Sequence, residues 1–422
     1  MLRVGIFCPV GVPRANYALT HAFGAVNYNY GVGITSLVYY KGCGRPRITN
    51  EQKPDTPLFF CSQRNINLTS PILGVWRADY KMKNRFYYLD NICCVLILHM
   101  IYTCHIAHAS GVAKTSVISI IGTTLSFFMS WFFFKGGMMH KETKLKDIIR
   151  KSTKRLLIPY LIFLIIGIML DILFFKFEHD LPLNTIIFLK GEIVLILSTS
   201  TVWPTAAIWF LISLYFTRIT FNLLYHKIHP LILTIFFAFA SYVIYIIYYN
   251  GWSYDIHFVG SNSHIQFPQF YIGNICHGLS LYSLGHYLQD KQFNKKVFIM
   301  ASILFMMKYF IPAGIDFRAN LSSGTHFMLA VLYEMTGCIV INNLFRQFLN
   351  HKIIFITHIG SNSMVYYLIH FPVMCTIGRL YLKYEDYDIW PKFFILSFMV
   401  TISLFLAEWI FRHKKFRFII GG

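Results

Sequence analysis

Between Ile92 and Phe411 lie ten apolar stretches, and the Lys and Arg residues gather on alternate connections between them. A run of about 20 apolar residues crosses a hydrocarbon core of roughly 30 Å as a helix. The other spanning architecture is a closed β-barrel, whose strands alternate in polarity over about 10 residues. Stretches such as Leu156 to Phe175 and Leu231 to Tyr249 do not alternate. The expected fold is therefore all-α and polytopic, with about ten transmembrane helices. Their expected positions are 92–109, 117–135, 156–176, 205–225, 229–249, 268–288, 297–314, 324–345, 353–382 and 391–411. The ninth is long and holds Gly360 and Pro372, so a tilt or break is expected there. A weaker patch from Ile186 to Leu197, interrupted by Lys190 and Glu192, reads as interfacial or re-entrant.

Charge sets the orientation. The lead-in carries Lys81, Lys83 and Arg85, and the second-to-third connection runs from Lys135 through Lys141, Lys144, Lys146, Arg150, Lys151 and Lys154 to Arg155. Later even connections hold Arg218 with Lys227, Lys291 with Lys295 and Lys296, and Arg346 with Lys352. The tail has Arg412, Lys414, Lys415 and Arg417. Odd connections are poorer: Lys114 alone, Lys176 and Lys190 diluted by Glu178, Asp180 and Glu192, none in 250–267, Arg318 alone, and Arg379 and Lys383 mixed with Glu385, Asp386 and Asp388. Basic residues stay on the cytoplasmic side, so both ends of the membrane domain are expected in the cytoplasm of a multi-pass protein of the cell's inner (plasma) membrane. The net charge of +20 then serves orientation, and no nucleic-acid partner is expected. Only 13% of residues are charged, against about 25% in soluble domains, so lipid is the expected surroundings.

Residues 1–81 differ from the remainder. They are rich in Gly, Pro and Asn, contain no spanning stretch, and lack the layout of a signal peptide. Met82 directly precedes the basic, aromatic lead-in to the first span. Residues 82–422 are thus expected as the membrane domain, and 1–81 as a dispensable or disordered appendage, or as sequence upstream of a true start at Met82. The nine cysteines are scattered without metal-ligand spacing, so neither a disulfide framework nor a metal site is expected.

Ionisable groups within a span cost several kcal/mol and mark functional positions. The first span holds His99 and His105, with His108 at its exit. His105 lies about 20 Å beyond Ile92 at 1.5 Å per residue, in the extracytoplasmic half. His370, on the ninth span, reaches the same half. Asp171, Glu334 and Glu408 lie within the third, eighth and tenth spans. A histidine so placed serves either chemistry or a hydrogen bond to a neighbouring helix.

Five segments, in order, resemble the acyltransferase-3 family of membrane O-acyltransferases, which modify cell-surface carbohydrates. The first is Tyr88-Leu89-Asp90-Asn91-Ile92 leading to His105. The second is Ser126-Phe127-Phe128-Met129-Ser130-Trp131-Phe132-Phe133, and the third Lys154-Arg155-Leu156-Leu157-Ile158-Pro159-Tyr160. Ile208-Trp209-Phe210-Leu211 follows, then Ile359-Gly360-Ser361-Asn362-Ser363 through Tyr366-Tyr367-Leu368-Ile369-His370. Departures accompany the likeness. A basic residue often follows the opening Asp by three positions, where this chain has Cys93. The family histidine commonly falls at the position of Cys104, one before His105, and one residue turns a helix by about 100°. Trp131 stands where a small glycine is usual.

The resemblance implies transfer of an acyl group, acetyl by default, from cytoplasmic acyl-CoA to a hydroxyl of a surface or lipid-linked carbohydrate. Acetyl-CoA is then a donor substrate, and no bound cofactor is implied. His105, with His99 as competitor, is expected as general base or transient acyl carrier, since imidazole titrates near neutrality. Lys151, Lys154 and Arg155 are expected to attract the CoA phosphates. Trp209 and His370 are expected at the acceptor, and Asp90 at the donor mouth or in helix packing. The rival reading is a transporter or exporter of a glycan or lipid-linked intermediate, which polytopic helices with intramembrane His and Glu also suit.

Overall fold

The computed structural model describes residues 86–178, 185–249, 254–258, 261–265, 272–289, 295–316, 321–323, 326–382, 388–413 and 416–421. The segment 1–81 lies outside the described residues. The chain is an all-α polytopic membrane protein. Among the described residues, seven helices are long and apolar enough to cross a membrane: Tyr87–Ser110, Ser116–Met138, Leu145–Phe177, Trp203–Leu224, Pro230–Ile247, Phe327–Phe348 and Ile389–Arg412. The three other expected spans are also occupied by helices, Asn274–Tyr287, Lys295–Met306 and the pair Ile354–Ser361 and Ser363–Leu382.

Helix α1 (Tyr87–Ser110) is the central post. Ile92, Cys93, Leu96 and Ile106 on it are fully buried. Its middle, His99–Ile106, is π-helical, and the ring closes with Ala107 N–H donating to the Tyr102 carbonyl, five residues back. The next apolar segment is broken into α2 (Ser116–Thr124) and α3 (Phe128–Met138). A break at membrane depth leaves carbonyls that water does not reach. Here Lys308, itself buried, donates from Nζ to the carbonyls of Thr123 and, at 3.1 Å, Thr124. Its ammonium also sits 4.0 Å from the Phe305 ring centroid.

α4 (Leu145–Ser152) is amphipathic and basic, and passes through a π turn (Thr153–Leu157) into α5 (Ile158–Glu178). α6 (Thr185–Thr199) covers the weaker apolar patch and buries Glu192. A 3-10 turn, Trp203–Ile208 with Pro204 in its first positions, leads into α7 (Trp209–Leu224). Next come α8 (Pro230–Tyr249) and an antiparallel hairpin, β1 (Tyr254–Phe258) with β2 (Ser261–Ile265), in register Tyr254↔Ile265. α9 (Asn274–Tyr287) and α10 (Lys295–Met306) precede a second small hairpin, Gly314–Asp316 with Leu321–Ser323.

α11 (Phe327–Phe348) carries Glu334, which meets His277 of α9 at 2.5 Å with both side chains buried. The expected break in the ninth span falls at Asn362, between α12 (Ile354–Ser361) and α13 (Ser363–Leu382). Gly360 permits α12 to touch α1, because a Cβ there would stand 1.7 Å from the Asp90 carbonyl oxygen. Finally, α14 (Ile389–Arg412) turns Ile402, Leu406 and Trp409 outward, and α5 and α8 expose Ile165, Met169, Ile235 and Phe239. Apolar side chains on the outside are what a lipid-solvated bundle requires.

Candidate active site

The expected residue His105 is brought by α1 against His370 of α13, 265 positions away in sequence. His105 Nδ1 lies 3.0 Å from His370 Nε2, and the rings stack with centroids 5.0 Å apart. His370 is fully buried. Its Nδ1 lies 2.7 Å from the Tyr367 carbonyl and 3.2 Å from that of Tyr366. A carbonyl only accepts, so Nδ1 of His370 carries the proton and Nε2 is the acceptor. His105 must then donate from Nδ1, which makes its own Nε2 the lone-pair nitrogen. Main-chain carbonyls of Tyr366 and Tyr367 thereby set the tautomers of two imidazoles in series.

The π turn reconciles the one-residue slip in the sequence. A π-helical ring takes up one residue more than an α-helical one. With the extra residue absorbed before Ala107, His105 faces α13 as position 104 would on an uninterrupted α-helix. His99 does not converge on the same place. It is buried against Phe128 of α3, ring centroids 5.5 Å apart, with Nε2 3.4 Å from Cys104 Sγ. Its Nδ1 has no partner among the described residues.

Outward from His105 runs a ladder of rings. Phe371 meets His105 edge-on at 5.1 Å, and Trp203 meets Phe371 at 6.2 Å. The Arg379 guanidinium then lies 4.8 Å from Trp203 and 4.4 Å from Phe174. Asp171 and Glu192 are buried nearby and act electrostatically on one another. The Tyr367 hydroxyl donates to the Ala207 carbonyl, which ties the Trp203 turn to the helix that carries His370.

The two residues expected at the acceptor are both buried. His370 stands behind His105 with both nitrogens engaged, and Trp209 is packed in the core, edge-on to Phe210. Trp203, partly exposed, is the aromatic on the ladder that leads out from His105. Trp131 is wholly buried and fills the room a glycine would leave.

Lys151, Lys154 and Arg155 are all exposed at the basic end, about α4 and its π turn. Asp90 is half-buried in the first turn of α1, some 22 Å of helical rise from His105. Cys93 has Lys135 Nζ 2.7 Å from its sulfur, so α3 supplies a positive charge beside the position where the family often has its own. A second polar cluster at this end joins three helices through Glu408. Tyr366 donates to it, His358 Nε2 lies 2.7 Å away, and Arg412 reaches it at 2.8 Å. Among the described residues, no three His, Cys, Asp or Glu side chains gather as metal ligands.

No curated protein and no solved structure shows a significant match to the chain. A family model does, that of the acyltransferase-3 acyltransferase domain, over residues 86–409. That stretch contains the central helix, the histidine pair and the ladder beyond it, and makes up more than three quarters of the sequence. The chain belongs to the acyltransferase-3 family and is a membrane acyltransferase.

Proposed function

We propose that this acyltransferase moves an acetyl group from acetyl-CoA to a hydroxyl of a cell-surface or lipid-linked carbohydrate, at the inner (plasma) membrane, with His105 as the general base. The observation that carries the reading is the 3.0 Å contact of His105 with His370, itself anchored on the Tyr367 carbonyl. It leaves His105 Nε2 as a proton acceptor of fixed direction. That nitrogen takes the proton of the acceptor hydroxyl as its oxygen bonds to the thioester carbon. The C–S bond of the tetrahedral intermediate then breaks, and the CoA sulfur leaves with the proton from Nε2. During the imidazolium stage, Nδ1–H still donates to His370, so the charge spreads along the bonded chain without a ring rotation. Transient acylation of Nε2 itself would use the same lone pair and the same orientation.

On this reading the donor enters at the basic end. Lys151, Lys154 and Arg155 attract its phosphates, and the thioester reaches inward along α1. The acceptor approaches over Phe371 and Trp203, whose ring supplies the apolar face that sugars stack upon. Arg379, Asp171 and Glu192 supply polar contacts there. Asp90 belongs to the donor side, by helix packing. The test is His105→Ala with radiolabelled acetyl-CoA in isolated membranes. Hydroxylamine-labile label on the glycan fraction should vanish while the protein remains inserted. Label retained in that variant but lost in His99→Ala would transfer the role to His99. Removing the charges of Lys151, Lys154 and Arg155 should weaken CoA binding, most at low salt.

A further inference from the structure

Two exposed arginines from distant parts of the chain are carried on backbone segments that meet at the basic end. Arg155 lies in the π turn before α5, and Arg417 opens a 3-10 turn, Arg417–Ile420, beyond α14. Gly421 joins the two elements. Its φ is +78°, and a Cβ there would stand 2.7 Å from both the Cα and the carbonyl oxygen of Arg155. Glycine alone permits that backbone contact and that backbone conformation. Ile419 and Ile420 pack against the main core, which fixes the turn in place. From Gly421 back to Arg417 is about 8 Å of 3-10 rise, a span two arginine side chains readily bridge.

The nearby Arg412 is engaged with Glu408. Among the described residues, neither Arg155 nor Arg417 makes a side-chain hydrogen bond or ion pair. Like charges brought together by main-chain packing repel until an anion lies between them, and guanidinium pairs suit a phosphate through bidentate bonds. A phosphate can come from CoA or from a lipid headgroup. A donor whose thioester points inward leaves its adenosine end at the rim. Its 3′-phosphate, a monoester carrying nearly two charges at neutral pH, is the strongest anion available there. Resting on the donor reading above, we propose that Arg155 and Arg417 clamp the 3′-phosphate of CoA, and that Gly421 sets their spacing.

The experiment uses the full chain in nanodiscs of phosphatidylcholine, with CoA and 3′-dephospho-CoA as probes in equilibrium binding. Wild type should prefer CoA. Arg417→Ala should weaken CoA binding about tenfold or more, in line with loss of a charge-assisted bond, and leave 3′-dephospho-CoA unchanged. Gly421→Ala should reproduce the loss with both arginines present, and Arg417→Lys should recover part of it. Equal CoA affinity in wild type and Arg417→Ala overturns the clamp while leaving the donor reading intact. A variant that loses flotation with phosphatidylglycerol vesicles but keeps its CoA affinity overturns it in favour of a lipid headgroup. No CoA binding by wild type overturns both readings.

Discussion

The π turn in α1 yields a prediction that runs against the usual intolerance of membrane helices to length changes. Removing Thr103 should let His99–Ile106 close as an ordinary α-helix, with the histidine one position earlier and its azimuth toward α13 kept. Adding an alanine after Thr103 should do the reverse. One residue turns the helix by about 100°, and side-chain tips lie about 5–6 Å from the axis. The imidazole would therefore swing by roughly 8 Å, well beyond the 3.0 Å contact with His370. Loss of an oriented base lowers rate by about 10²–10⁴-fold, or roughly 3–5 kcal/mol in the barrier. The assay is acetyl transfer from radiolabelled acetyl-CoA to glycan in membranes containing equal amounts of inserted protein. The deletion should stay within about tenfold of wild type, and the insertion should fall to the level of His105→Ala. A deletion as inactive as the insertion, with both proteins correctly inserted, would refute the register argument.

Three further outcomes follow from the packing. His370→Ala should lower kcat about 10- to 100-fold through lost orientation of His105, with the KM for acetyl-CoA unmoved; His370→Asn, whose amide oxygen still accepts, should recover part. Gly360→Ala drives a methyl into the Asp90 carbonyl and should cost about 1–3 kcal/mol or more, read as earlier thermal unfolding in detergent. Glu334→Ala removes the carboxylate that faces His277 and should destabilise by roughly 3–5 kcal/mol, whereas Glu334→Leu combined with His277→Leu should regain most of it in a double-mutant cycle by thermal shift.

Much of the membrane architecture is legible because bilayer thickness imposes a length on every spanning segment. Gly360 and Pro372 flagged the ninth span, and the break lies at Asn362, near Gly360. The interruption between α2 and α3 left no such mark, since Leu125, Ser126 and Phe127 are ordinary helix residues. It is held by Lys308, a lysine inside the seventh expected span whose partners, 184 and 185 positions away, leave no local trace in the sequence. At the candidate site, His105 and His370 stood out because imidazole is rare in lipid. Their mutual contact did not, for two helices 265 residues apart carry no local trace of their pairing. Trp203 drew no notice, because nothing in the sequence tells that the 3-10 turn brings it against Phe371 while Trp209, six residues on, packs on Phe210. His277 drew no attention because its span is rich in small and polar residues. The apparent slip of His105 could be resolved only by a helix type that residue preferences do not announce.

Lys308 has a consequence for how the chain is made. Thr123 and Thr124 leave the ribosome 185 and 184 positions ahead of the lysine that serves their carbonyls. At about 5–20 residues per second, the interval is roughly 10–40 s. During that time the half-length α2 must borrow hydrogen bonds from water or from the insertion machinery. The second segment therefore enters the bilayer provisionally and acquires its final shape only after the turn that follows α10 has been delivered beside it.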